Sequence, residues 1–275
     1  MQIIDSLKDI GFCYENGMFS LHCWRSYMQN VYPSAIQLIE EDSARYDFQK
    51  DIVPVLNAVP NNPTKLKQLH QSFQSVIHQL EDDINQLFHT TIDADIVLYL
   101  GLCNGAGWAV TMNGKYIVLL GIEKIVELNW VDRDSMIALL YHELGHLWHH
   151  QERKLPWGGE TEKAMWQLYC EGVAMYFEQQ LCLNDHFFHQ DQNGWLKWCT
   201  QNRRRLFAEY LRRVEHNESV QAFFGDWCRF EGHADVGYYL GAELIRKALK
   251  EYSVNQIPDL SLPEIKRLLS LCAQQ

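Results

Sequence analysis

A chain of 275 residues that is 47% hydrophobic and 12% aromatic has enough apolar material for one sizeable core or two closely packed lobes, which excludes a disordered polypeptide. Its formal net charge of −11 excludes a broad nucleic-acid or anionic-membrane surface, because the average field repels both partners. No stretch approaches the ~20 apolar residues of a membrane helix, and Asp5, Lys8 and Asp9 stand where a signal peptide would be apolar, so a cytoplasmic location is expected. The eight cysteines form no Cys-x-x-Cys pair and read as buried thiols of a reducing compartment, so any metal must be held by other side chains. The sequence carries no mark of oligomeric state.

The first ninety residues read as helices joined by short loops. Asn61-Asn62-Pro63 starts a long amphipathic helix in which Leu66, Leu69, Phe73, Ile77, Leu80, Ile84 and Leu87 recur at three- and four-residue steps, ending near His89. From Asp95 the period changes. Ile96 to Leu100 is a short apolar strand, and two further strands, Trp108 to Thr111 and Tyr116 to Leu120, flank the hairpin signal Asn113-Gly114. The simplest reading is a small antiparallel sheet.

Beyond the sheet the chain is helical. Asp132 or Asp134 is placed to cap a helix reaching about His150, and further helices are expected near 161–181, 194–214, 235–251 and 262–272. Arg203-Arg204-Arg205 is followed by Leu206, Phe207, Tyr210 and Leu211 at helical spacing and reads as a solvated helix face. The fold class is therefore α+β, mainly helical, with a small sheet ahead of packed helices. The change of period divides the chain into an N-terminal helical region, 1–92, and a domain, 93–275, unless the two form one continuous domain.

The chemistry concentrates in His142-Glu143-Leu144-Gly145-His146. Two histidines four residues apart on a helix project from one face and can bind one metal ion, and the adjacent Glu143 is placed to take a proton from metal-activated water. In a chain with this many histidines and glutamates, about 0.04 matches to the spacing are expected by chance, so the motif needs a third ligand to support it. Glu171 is that ligand: it follows a loop from Lys154 to Gly159, and its neighbours Tyr169, Cys170, Val173 and Tyr176 make an apolar setting costly for an unpartnered carboxylate. Gly172 and Ala174 allow its helix to approach closely. Glu152 is the alternative, but a turn back to the metal there calls for glycine at position 149, which is histidine. Helical geometry swings His149 and His150 away from the His142/His146 pair, so substrate-side or supporting roles are expected of them.

His-Glu-Leu-Gly-His followed by Glu171-Gly172-Val173-Ala174-Met175-Tyr176 resembles the gluzincin metallopeptidases, and is most similar to predicted zinc proteases of that clan. The resemblance covers residues 94–250 and makes 93–275 a zincin-like metallopeptidase domain. It implies a zinc ion held by His142, His146 and Glu171, general-base chemistry at Glu143, and a peptide or protein substrate. A Gly-Tyr-x-x-Gly element in those proteases resembles Gly237-Tyr238-Tyr239-Leu240-Gly241, which implies an oxyanion donor at Tyr238 or, second, Tyr239; His233 is a further candidate. By the same resemblance Gly105-Ala106-Gly107-Trp108-Ala109 is placed to hold extended substrate by backbone pairing. The chain departs from thermolysin four residues after the third ligand, where Met175 replaces an aspartate that orients a histidine. Two other readings remain. The hairpin and metal helix also resemble regulatory metallopeptidases that cleave repressors, although no Leu-Met-Pro element follows Glu171. The non-enzyme reading is a metal-stabilised interaction protein in which zinc staples two helices.

Overall fold

The computed structural model describes residues 1–159, 162–225 and 227–274. It is mainly helical with a small sheet, and divides into two compact units, Met1–Leu144 and Gly145–Gln275. Among the described residues no helix is long and apolar enough to cross a membrane.

The first unit begins with β1 (Gln2–Asp5), a 3₁₀ turn, and the short hairpin β2 (Tyr14–Glu15) and β3 (Met18–Phe19). Helices α1 (Leu21–Val31), α2 (Ile36–Ser43), α3 (Val53–Ala58), α4 (Pro63–Val76) and α5 (Leu80–Phe88) follow. Next come β4 (Ala94–Tyr99), β5 (Gly107–Met112), β6 (Lys115–Gly121) and α6 (Ile122–Leu128).

The expected antiparallel sheet is a mixed one, in the order β1-β4-β6-β5. β1 and β6 flank β4 in parallel, and only the hairpin partners β5 and β6 run antiparallel. All six residues of β4 are buried, as befits a central strand covered on both faces; an unbroken apolar run marks that position, whereas a half-solvated strand alternates. β5 closes one end of the sheet, with Asn113 and Gly114 both at positive φ in its turn. Strands β1 to β3 lie within the stretch expected to be helical throughout. They are two to four residues long, too short to display a period.

The single helix expected from Asn62 to His89 is two. The chain tightens after Val76, where the Gln79 amide donates to the Val76 carbonyl three residues back, while the buried series Leu69, Phe73, Val76, Leu80 and Ile84 runs on through the break. Gln79 spends its side chain there, donating to Asp83 and accepting from Arg133. The second segment ends where expected, with His89 in the left-handed conformation as its cap.

Helix α7 (Arg133–Glu152) runs through the division between the units. Asp132 caps it, accepting from the Ser135 amide at 2.9 Å. Its central turns are buried nearly all round, from Ala138 to Leu144 and again from Leu147 to His149.

The second unit continues with α8 (Lys163–Leu181), α9 (Trp195–Glu215), α10 (Val236–Ala248) and α11 (Leu262–Gln274). Thr161, where the first of these helices was expected to begin, lies outside the described residues. α8 meets α10 backbone to backbone: a Cβ on Gly172 would lie 2.4 Å from the Gly241 carbonyl oxygen. On the other side of α8, Trp148 packs against Phe177 with ring centroids 5.3 Å apart, and a Cβ on Gly145 would lie 2.9 Å from the Ala174 Cα. Glycine at positions 145, 172 and 241 is what lets three helices crowd around the face that carries Glu171.

Candidate metal centre

His142 and His146 stand one turn apart on α7, and Glu171 stands on α8. Each offers one ligand atom, and these atoms all lie within 4.8 Å of one another. His146 Nε2 is 3.4 Å from Glu171 Oε2. Ligands bound to zinc at about 2.0–2.1 Å in tetrahedral geometry are separated by roughly 3.4 Å, so this donor set of two imidazole nitrogens and a carboxylate oxygen fits the ion. It is the one such group among the described residues; Glu152, His149 and His150 are not in it. His142 is buried, while His146 and Glu171 are half-buried, as suits a site that must admit a fourth ligand.

Glu143 is buried beside the pair on α7, with 6% of its surface exposed. The start of β5 is packed directly against its carboxyl group: a Cβ on Gly107 would lie 2.4 Å from Glu143 Oε1. A side chain at position 107 would push the Glu143 carboxyl group aside. The general-base candidate and the strand expected to pair with substrate therefore share one contact surface.

The remaining expected residues fall in different environments. Tyr238 is half-buried, edge-on to Phe224 at 6.0 Å, and precedes Gly241 by three residues, so it shares the face of α10 that meets α8. Tyr239 is buried against Phe188 and Trp195, and that burial pushes its phenol up to about 12. His233 stacks on Trp198 with centroids 3.7 Å apart, and its Nδ1 lies 3.2 Å from the Glu231 carbonyl oxygen.

His149 is a core histidine. Its Nε2 meets the Pro258 carbonyl at 3.1 Å, its ring stands edge-on to Trp157 and Tyr169, and burial holds it neutral with a pKa of about 3. Exposed His150 stacks on Trp157. The position that departs from thermolysin, Met175, is fully buried. The buried carboxylate on this helix is instead Glu178, seven residues beyond Glu171 and so on the same face, paired with His189 Nδ1 at 2.9 Å. Sequence reasoning passes over Glu178, whose signal is a second carboxylate two turns beyond Glu171 in a largely buried helix.

Comparison of the chain with protein-family models, curated proteins and solved structures finds no match.

Proposed function

We propose that this protein is a zinc-dependent peptidase. The observation that carries the reading is the convergence of His142, His146 and Glu171 with Glu143 buried one residue from the first ligand. Two imidazoles and one carboxylate leave a coordination position open, the arrangement of hydrolytic zinc sites, whereas structural zinc is closed by four protein ligands. Zinc held there would acidify a coordinated water towards neutral pKa and act as a Lewis acid towards a carbonyl oxygen.

The chain's own residues supply the rest of the chemistry. Glu143 accepts the proton of the attacking water and delivers it to the departing amine. The free edge of β5, starting at Gly107 beside Glu143, offers backbone donors and acceptors to an extended peptide. Tyr238 donates a hydrogen bond to the oxygen on which negative charge develops.

Elemental analysis and a mixed-peptide cleavage assay test this together. His142→Ala and Glu171→Ala should lose zinc and activity. Glu143→Gln keeps the shape but not the basicity of the side chain, so it should keep full zinc while turnover falls by at least ~10². Unchanged turnover in Glu143→Gln, or full zinc in Glu171→Ala, would refute the assignment.

A further inference from the structure

The loop between β4 and β5 is built unlike a surface connection. Leu100, Gly101, Leu102, Cys103 and Ala106 are buried, and side chains from distant segments satisfy its backbone. Trp24 donates to the Leu100 carbonyl, the Leu100 amide donates to the Tyr27 hydroxyl, and Asn104 donates to the Ile39 carbonyl and to Asp42. At the centre is Glu123, with 1% of its surface exposed, whose two carboxylate oxygens accept from the Gly101 amide at 2.7 Å and the Cys103 amide at 2.9 Å. The fit leaves no slack, since a Cβ on Gly101 would lie 2.5 Å from Glu123 Oε1. Six residues beyond Gly101 the same loop delivers Gly107 against Glu143.

We propose that Glu123 is a positioning residue for hydrolysis: by gripping the Gly101 and Cys103 amides it holds the loop that sets Gly107, and with it the substrate edge of β5, against Glu143. This rests on reading Glu143 as the base. A buried carboxylate is an expensive way to tie a loop, because desolvation disfavours its charge, and burial here pushes Glu123 up to about 7 against the pull of the Gly101, Cys103 and Glu123 amides and of Lys124. The groups facing it are Cys13, Tyr14 on β2, Tyr27 on α1 and Tyr99 on β4; burial raises the pKa of all four, so they stay neutral near pH 7. Asp42 and Cys103 act on Tyr99, and Lys124 is paired with Glu127. Glu123 therefore supplies the change of charge in this nest near neutrality. As pH falls through about 7 the carboxyl gains a proton, a donor replaces an acceptor, and one of the two amide bonds is lost.

Glu123→Gln fixes that state at every pH, because its amide nitrogen cannot accept. In the zinc-loaded full chain with the peptide mixture, Glu123→Gln should keep its zinc and its Glu143-dependent turnover while KM rises about fivefold at pH 8, the equivalent of one lost hydrogen bond. Wild-type KM should rise as pH drops below 7, and the variant's KM should be flat across that range. Amide exchange across residues 101–112 should quicken in the variant while α7 stays protected. Gly101→Ala, which drives a Cβ into the same carboxylate from the loop side, should reproduce both effects if Glu123→Gln folds poorly. Matching KM–pH profiles for wild type and variant, or unchanged exchange across 101–112, overturns the proposal. Absence of peptide cleavage by the wild type overturns the peptidase reading instead, and the exchange measurement, which needs no substrate, still decides whether Glu123 holds the loop.

Discussion

Tyr238 and Tyr239 are neighbours whose surroundings separate their roles. A helix turns about 100° per residue, so when Tyr238 shares the α8-facing side with Gly241, Tyr239 points elsewhere, into Phe188 and Trp195. Tyr239→Phe keeps the buried ring and its contacts with Phe188 and Trp195, and should leave zinc content and turnover unchanged. Tyr238→Phe should leave zinc content and Tm unchanged while turnover falls about 10²–10³, the loss typical of one oxyanion donor. If both variants keep full activity, the Gly-Tyr-Tyr-Leu-Gly element is packing alone and His233, stacked on Trp198, is the next donor to test. At this scale the pairing of His142 with His146 is legible in the sequence, because a four-residue spacing on a helix has one geometric consequence. Glu123 was not: inside Gly121-Ile122-Glu123-Lys124-Ile125 it looks like any polar residue on a short amphipathic helix, and its burial depends on the Gly101 loop, twenty-two positions away.

The elements around the centre depend on backbone approaching backbone, and this can be tested at the crossing of α8 and α10. Alanine is normally the better helix former, by about 1 kcal/mol over glycine, so Gly172→Ala would stabilise an isolated α8. In the folded protein the added methyl meets the Gly241 carbonyl oxygen at 2.4 Å, and backbone on both sides leaves nothing flexible to move. Overpacking should prevail, with a net loss of about 1–3 kcal/mol in the urea midpoint. Because Glu171 is the preceding residue, the displaced helix should also bind zinc more weakly in a chelator competition. A stabilised variant with unchanged zinc affinity would mean the crossing tolerates separation. The same physics explains which elements the sequence disclosed. α7 to α11 carry apolar residues through several turns and were expected within a few residues of their observed ends. Asn16-Gly17 carries the same turn signal as Asn113-Gly114, with both residues at positive φ, yet its two-residue strands give periodicity nothing to act on. The direction of β4 relative to β1 and β6 is set by long-range pairing, which no local window contains.

For the molecule as a whole, the proposed zinc site raises the question whether the ion would hold the fold or only the chemistry. Small domains that fold on zinc lack a core of their own, and chelation unfolds them. Here each unit has an extensive apolar interior independent of the three ligands: Trp24, Phe73, Val97, Leu98, Tyr99 and Leu119 in the first, Tyr169, Phe177, Phe207, Leu240 and Leu268 in the second. The division between the units falls inside α7, where neither composition nor period changes, so the sequence does not mark it. Removing zinc should therefore abolish peptide cleavage and leave the far-UV circular dichroism spectrum unchanged. Zinc bound only by the folded chain still adds stability through mass action, about 2.7 kcal/mol when free zinc exceeds its Kd a hundredfold. The expected result is a folded, inactive apoprotein with a lower urea midpoint, whose midpoint and activity both return on titration with zinc. An apoprotein that loses its helical signal on chelation would instead identify the ion as a staple between helices, and the open coordination position would then need another explanation.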